Sequence, residues 1–180
     1  MTGCVVDTNV AIAANGRAAC PQASPECVKA CVGALLEVLS DRRRLVLDDR
    51  WRLIAEYRHK LSASGQPGIG DRFLKWVLTN YANPARCERV AVHEAGSGEE
   101  FEELPPEVSN IADPSDRKFL AVAAAHPDRP PILEGVDSKW WGWKETLASH
   151  GLTVEFLCQK EQEETFARKF PGSASGKPSQ

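Results

Sequence analysis

The chain has 180 residues, 42% of them apolar and 26% charged, which predicts one domain of ordinary size with a full hydrophobic core. Its net charge of -3 excludes a general affinity for polyanions, so a nucleic-acid substrate would require metal ions or a local basic strip. No apolar run approaches the ~20 residues that span a bilayer, and the N-terminus has no basic and apolar leader, so we expect a cytoplasmic protein that does not enter membranes. The six cysteines are scattered, several of them in apolar segments, and we expect reduced thiols.

The first half of the chain alternates short apolar runs with helical patterns. Residues 4–6 predict a buried strand, and a helix begins near Val10 and ends at Asn15-Gly16. Ser24 as N-cap and Pro25 in the first turn predict a helix that continues to residue 39. Residues 45–47 predict the second strand, after which Asp48 or Asp49 caps the next helix.

The second half continues this alternation. Residues 62–70 predict a loop, because they hold three glycines and a proline, and the acidic residues 94–107 predict a surface loop. We predict helices at 71–81, 113–126 and 138–150, and strands at 90–92, 132–133 and 152–157. Strands separated by helices indicate an α/β fold, a three-layer α/β/α sandwich with a short central parallel sheet. This domain covers residues 1–158, and residues 159–180 form a charged helix and a flexible tail.

Acidic side chains follow the predicted strands. Asp7 comes directly after residues 4–6, Glu134 and Asp137 follow residues 132–133, and Asp116 opens a helical stretch. Open parallel sheets bind ligands at the carboxyl ends of their strands, so these acids are expected to share one crevice. Several carboxylates cannot all stay ionised there without a counter-charge, which indicates a divalent cation.

Four separated motifs resemble those of PIN-domain nucleases, in the order that is usual for that family. They span roughly residues 3–157 and read Val5-Val6-Asp7-Thr8-Asn9-Val10, Leu53-Ile54-Ala55-Glu56-Tyr57-Arg58, Asp113-Pro114-Ser115-Asp116-Arg117-Lys118-Phe119-Leu120, and Gly135-Val136-Asp137. The resemblance implies a PIN-like fold and a metal-dependent endoribonuclease that cleaves single-stranded RNA. It implies that one or two Mg²⁺ or Mn²⁺ ions are held by Asp7, Glu56, Asp116 and Asp137, with Asn9 as the polar companion of the first acid.

Small members of this family are often the toxin of a bacterial toxin–antitoxin pair. The resemblance therefore also implies an antitoxin protein and a homodimer as partners. The last motif departs from the Thr-Gly-Asp or Ser-Gly-Asp of the family, because Glu134 precedes Gly135 and Val136 separates the glycine from Asp137. A degenerate PIN scaffold that binds RNA or a protein without cleaving it is the alternative.

Each acid also has a structural interpretation. Asp7 and Asp137 could begin helices, and Glu56 could belong to a solvated, salt-bridging helix face. Capping of the helix at 113–126 explains Asp113, which is therefore expected to be structural or to support the ligands. Thr8 and Ser138 are further candidates for orienting the ligands by hydrogen bonding.

Basic and aromatic residues near the acids are candidates for holding the substrate. Arg50 and Arg58 flank the second strand-to-helix connection and could bind phosphates, although a solvated helix face explains them as well. Trp140 could stack on unpaired bases, although tryptophans on an amphipathic helix are more often core residues. Cys27 and Cys31, one helical turn apart on an apolar face, are interpreted as buried thiols.

Overall fold

Five parallel strands form the central sheet in the computed structural model, which describes residues 2–96 and 98–172. In chain order the strands are β1 (Thr2–Val6), β2 (Arg43–Asp48), β3 (Cys87–Val90), β4 (Glu94–Ala95), β5 (Glu100–Phe101), β6 (Ile132–Glu134) and β7 (Val154–Phe156). The order across the sheet is β3-β2-β1-β6-β7, whereas β4 and β5 form a separate antiparallel hairpin. The predicted α/β class with a central parallel sheet flanked by helices is confirmed.

The helices alternate with these strands along the chain. They are α1 (Thr8–Ala14), α2 (Pro25–Leu39), α3 (Arg52–Lys60), α4 (Ile69–Asn80), α5 (Pro106–Ile111), α6 (Arg117–Ala125), α7 (Lys139–Ser149) and α8 (Gln159–Lys169). The predicted start of α2 is confirmed, because Ser24 is its N-cap and accepts a hydrogen bond from Cys27 N at 3.1 Å. Among the described residues, no helix is both long and apolar enough to cross a bilayer.

The middle strands are buried on both faces. Val5 and Val6 in β1 pair with Ile132 and Leu133 in β6, and none of the four side chains is exposed. A strand covered by helices on both sides reads as a continuous apolar run, which is why the sequence predicted these strands well. The chain runs outward from β1 to β3 on one side and returns to β6 on the other. The carboxyl ends of β1 and β6 therefore flank the point where the strand order reverses, the usual ligand crevice of such sheets.

Three predicted elements differ from the structure. The segment at 94–107, predicted as a loop, contains the β4–β5 hairpin and the start of α5, and the strand predicted at 90–92 lies at Cys87–Val90. The helix predicted to begin at Asp113 begins at Arg117, so the capping role of Asp113 is wrong. A turn replaces the first helical residues, with Asp116 N donating to Asp113 O at 2.9 Å, and the Asp113 carboxylate contacts Lys139 at the start of α7 instead.

The expectation of six reduced thiols is also wrong. Cys27 on α2 and Cys158 at the start of α8 form a disulfide, with their Cα atoms 5.1 Å apart. These residues are 131 positions apart in the chain, so only the tertiary fold brings them together. The other four cysteines are free and buried: Cys4, Cys20, Cys31 and Cys87.

Helix α8 belongs to the folded domain, although the sequence assigned it to a segment beyond residue 158. Phe166 lies against Gly142 of α7 so closely that an added Cβ at the glycine would clash with its ring. Gln162 is only 1% exposed and reaches the end of β6. Most of the predicted flexible tail, residues 173–180, lies outside the described residues.

Candidate functional site

Two buried carboxylates lie side by side at the ends of β1 and β6. Asp7 follows β1 and is 4% exposed, whereas Glu134 is the last residue of β6 and is fully buried. Asp7 N donates to Leu133 O at 3.1 Å, which ties the two strand ends together. Asp7 is also the N-cap of α1, because its Oδ1 accepts from Asn9 N at 2.8 Å. The capping and the functional interpretation of Asp7 are therefore compatible.

Asn9 joins α1 to the loop that follows β6. Its Nδ2 donates to Glu134 Oε2 at 2.8 Å, and its Oδ1 accepts from Gly135 N at 2.9 Å and Val136 N at 3.3 Å. An added Cβ at position 135 would lie 2.8 Å from Asn9 Oδ1, so a side chain there would displace the Asn9 amide from these hydrogen bonds. Asn9 thus holds the loop in place, which is a positioning role.

Glu134 was expected in the crevice from the sequence, but it was not assigned a role in the site. Its Oε1 accepts from Asp137 N at 2.9 Å, so the loop turns around this carboxylate and carries Asp137 toward Asp7. The signal was present in the sequence, because Glu134 directly follows an apolar strand as Asp7 does. It was assigned no role because the resemblance identified Asp137 as the acid of the last motif.

Glu56 reaches the same crevice from α3. Thr8 Oγ1 donates to Glu56 Oε1 at 2.8 Å, and Lys118 Nζ contacts the other carboxylate oxygen. Helix α3 is fixed against the sheet by Tyr57, whose hydroxyl donates to Val6 O at 2.5 Å. Thr8 thus holds the Glu56 carboxylate in one orientation, and its role in orienting a metal ligand stays a prediction.

Asp116 and Asp137 complete the set of acids. Asp116 Oδ2 is buried and accepts no hydrogen bond from the described residues. Lys139 Nζ lies 3.4 Å from Asp137 Oδ2 and also contacts Asp113, which is half-exposed. The Asp113 carboxylate thus contacts the site through Lys139, and its backbone carbonyl accepts from Asp116 N.

Burial and like charges raise the pKa values of three of these acids. Burial raises the pKa of Asp7 well above its usual range, and the neighbouring Asp116, Glu56 and Asp137 raise it further. Burial raises the pKa of Glu134 in the same direction, with Asp7 as the next cause. Burial, followed by Asp137, raises the pKa of Asp116 to about 6. The crevice therefore favours a proton or a cation beside these carboxylates.

The predicted metal ligands all line one cavity of about 690 Å³. Asp7, Glu56, Asp116 and Asp137 lie in its wall, together with Thr8, Asn9 and Ser138. The described residues of α8 form the opposite side and contribute Glu161, Gln162, Thr165, Arg168 and Lys169. Gln162 Nε2 reaches Asp137 O at 3.4 Å and Glu134 Oε1 at 3.5 Å. No motif in the local sequence of α8 predicts that this helix lines the site.

The donor set fits a hard divalent cation. Carboxylate oxygens are the ligands that Mg²⁺ and Mn²⁺ prefer, and the partnerless Asp116 Oδ2 is available for one. Among the described residues, no three carboxylate oxygens all lie within 4.8 Å of one another, so a shared ion would require these side chains to move closer together. An ion between them would offset the mutual repulsion of the acids.

The candidate substrate residues lie elsewhere. Trp140 is fully buried, with its ring 5.4 Å from that of Trp143, so the prediction that it stacks on bases is wrong. Trp140 lies on the face of α7 that packs on the core, where burial of its large apolar ring is favourable. Arg50 and Arg58 are exposed and are not among the described residues that line the cavity. The cations in the cavity wall are instead Lys60, Arg168 and Lys169.

Ser138 is buried at the start of α7 and lines the cavity, and its hydroxyl has no hydrogen-bond partner among the described residues. Its location agrees with the predicted supporting role. The functional interpretation depends on this geometry and on the sequence motifs alone. Comparison of the chain with protein-family models, with curated proteins and with solved structures finds no match.

Proposed function

We propose that this protein is a metal-dependent nuclease of the PIN type that hydrolyses single-stranded RNA. The convergence of Asp7, Glu56, Asp116 and Asp137 on one cavity, from separate parts of the chain, is the observation that supports the proposal. These are the acids that match the PIN motifs, residue by residue. The preference for single-stranded RNA is supported by that resemblance alone.

Asp7, Asp116 and Asp137 would hold Mg²⁺ or Mn²⁺, with Glu56 as the fourth carboxylate. The ion, when bound, supplies the Lewis acidity and the positive charge that phosphodiester hydrolysis requires. Burial, followed by the repulsion of neighbouring acids, raises the pKa values of Asp7 and Asp116, and a bound cation would offset both costs of their charge.

The other residues of the site bind and position. Asn9 and Glu134 hold the loop that carries Asp137, and Thr8 orients Glu56. Lys60, Arg168 and Lys169 lie in the cavity wall, where they would attract the phosphates of a bound strand. Phosphate contacts of this kind fix the strand without reading its sequence.

The biological role that we propose is that of a toxin in a bacterial toxin–antitoxin pair. It is supported only by the resemblance to small PIN proteins, which also suggests a cytoplasmic location, an antitoxin partner and a homodimer. An RNA-processing nuclease would use the same site.

The proposal is tested by incubating the purified protein with labelled single-stranded RNA, single-stranded DNA and duplex RNA. We expect cleavage of the single-stranded RNA with Mn²⁺ or Mg²⁺ and none with a chelator. Asp7→Asn should abolish cleavage. The matched control is Asp49→Asn, which removes an exposed carboxylate at the end of β2 that does not line the cavity. Equal cleavage by the Asp7→Asn and Asp49→Asn variants would refute the assignment.

A degenerate scaffold that binds RNA or a protein without cleavage is the second candidate. It is favoured by two lysines that already neutralise part of the acidic cluster: Lys118 contacts Glu56, and Lys139 contacts Asp137. In such a scaffold the two ammonium groups would take the place of a metal ion. Isothermal calorimetry with Mn²⁺ separates the two candidates, because only the nuclease should bind the ion, and the Asp7→Asn variant should not.

A further inference from the structure

A cluster of three cysteine sulfurs lies outside the set of carboxylates. Cys27 and Cys31 are one turn apart on α2, and Cys158 directly precedes α8. All three side chains are buried, and their Sγ atoms lie within 4.8 Å of one another. The disulfide between Cys27 and Cys158 accounts for two of the sulfurs but leaves the third unexplained.

The position of Cys31 fits a shared metal ion. Its Sγ lies 3.9 Å from Cys158 Sγ. Two sulfurs that bind one tetrahedral Zn²⁺ at about 2.3 Å are about 3.8 Å apart. Cys27 and Cys31 are four residues apart, so they lie on the same face of α2 and can approach one ion together.

We propose that Cys27, Cys31 and Cys158 bind one thiophilic divalent cation of the Zn²⁺ class when the disulfide is reduced. Reduction by a dithiol adds two electrons and two protons to the Cys27–Cys158 bond and oxidises the dithiol to its own disulfide. The cation then displaces one proton from each of the three thiols, and these protons pass to solvent. Disulfide and metal exclude each other, because both require the sulfurs of Cys27 and Cys158.

The surroundings leave room for a fourth ligand. A second cavity of about 480 Å³ is lined by Cys27, Cys158, Ser24 and Glu161, among others. The cavity reaches two of the three cysteines, Cys27 and Cys158, and its volume could admit an ion and a water molecule as the fourth ligand. Three protein ligands and one water are a common Zn²⁺ arrangement.

The bound cation would connect α2 to the start of α8, as the disulfide does in the oxidised protein. Gln162, Arg168 and Lys169 on α8 line the carboxylate cavity, so either link keeps this helix over that cavity. The cysteine site does not depend on the proposed nuclease activity. Its ligands are soft sulfurs, whereas the carboxylate oxygens suit hard ions.

Cobalt titration of the full-length protein tests the proposal. The protein is reduced with dithiothreitol, freed of reductant without air, and titrated with Co²⁺ while its absorption spectrum is recorded. We expect one equivalent of Co²⁺ to give thiolate-to-metal charge-transfer bands, which Zn²⁺ then abolishes. Co²⁺ bound at the carboxylates would give no such band, so this result is independent of any failure of the nuclease proposal.

The decisive variant is Cys31→Ala, which removes the third sulfur and leaves the Cys27–Cys158 pair intact. We expect its affinity for Co²⁺ to fall by more than about 100-fold, because loss of even an outer partner costs metal sites about 10–100-fold. The matched control is Cys87→Ala, which removes a buried free thiol on β3 at the opposite side of the sheet and should bind as the wild type does. Circular dichroism of the oxidised variants checks their fold.

Two results would overturn the proposal. One is the absence of thiolate bands when reduced wild-type protein meets Co²⁺, whether the reduced protein is folded or not. The other is Co²⁺ binding by Cys31→Ala that is as tight as that of Cys87→Ala.

Discussion

Asp48 and Asp7 both follow buried apolar strands, yet their surroundings are opposite. Asp48 ends β2, where its Oδ2 accepts from Arg50 N at 3.0 Å and Arg52 N at 2.9 Å, and its Oδ1 accepts from Leu53 N at 3.0 Å. Its charge is further offset by the Arg52 guanidinium at 3.5 Å. This carboxylate is satisfied by its own helix and holds the start of α3.

Asp7 at the end of β1 is nearly as buried as Asp48, with 4% exposed against 1%. It accepts one backbone hydrogen bond, from Asn9 N, and its pKa is raised by burial first and then by the neighbouring carboxylates. The difference follows from the sheet, because β1 lies at the reversal of strand order and β2 does not. Both aspartates accept backbone hydrogen bonds at the start of the next helix, but only Asp7 lies beside a neighbouring strand that ends in another acid, Glu134.

The largest expected effect on stability is that of removing the Asp48 carboxylate, which is fully hydrogen-bonded. Asp48→Ala should lower the free energy of unfolding by about 3 kcal/mol, because three buried or part-buried N–H groups lose their acceptor. Urea denaturation measures this loss, and Asp49→Ala, an exposed neighbour, is the control. A loss below about 1 kcal/mol would mean that these hydrogen bonds do not hold the end of β2.

Metal ions should stabilise the protein by binding between the mutually repelling carboxylates of the cavity. Mn²⁺ at about 100 times its dissociation constant is expected to raise the free energy of unfolding by about 2.7 kcal/mol, and so to raise Tm. Differential scanning calorimetry of oxidised protein measures the change with little interference from the Cys27–Cys158 pair. Asp7→Asn should remove most of the increase. Asp48→Asn leaves the cavity acids intact and should keep the stabilisation by Mn²⁺. If it abolishes this stabilisation as completely as Asp7→Asn does, the ion does not distinguish Asp7 from Asp48.

The pH dependence of stability sharpens the contrast further. The pKa of Asp116 is raised from 3.8 to about 6, so the folded state binds more protons than the unfolded state between these values. As the pH rises through that window, ionisation of Asp116 in the folded state lowers the free energy of unfolding. This loss of stability is fully present above the window. Asp116→Asn removes this loss, so the variant should exceed the wild type by about 1–2 kcal/mol at pH 7.5, after allowance for solvent screening, and match it near pH 4.

Urea unfolding at several pH values gives this difference between the variant and the wild type. A difference that is the same at pH 4 and pH 7.5 would show that ionisation of the buried Asp116 carboxyl is not its cause. Saturating Mg²⁺ should erase the advantage of the variant at pH 7.5, because the ion neutralises the wild-type carboxylate.

The smallest expected effect is on the affinity for RNA. It distinguishes Arg58, which the sequence suggested, from Arg168, which lines the cavity. Arg168→Ala should weaken binding of single-stranded RNA by about 3- to 10-fold and reduce its salt dependence by about one phosphate contact. Arg58→Ala removes an exposed arginine that does not line the cavity and should bind as the wild type does. Fluorescence anisotropy with a labelled oligonucleotide, with a chelator to prevent cleavage, measures both. Equal weakening by the two variants would contradict the assignment of α8 to the site.

The amino-acid sequence by itself determined most of the sheet and the identity of the acids. Residues 4–6, 45–47 and 132–133 are continuous apolar runs because both faces of the sheet are covered, and that pattern is local. The N-cap at Ser24 and the acid that follows β1 are local as well. Such features can be predicted because a few adjacent residues set them.

Only the tertiary structure decided which of these residues meet. Asn9 bonds Glu134 across 125 positions, Cys27 bonds Cys158 across 131, and α8 comes back over the acids that the first and sixth strands deliver. The same folding buried Trp140, for which the sequence left both base stacking and a core position open. Burial and pairing over such separations depend on how whole layers pack, and no local periodicity carries that information.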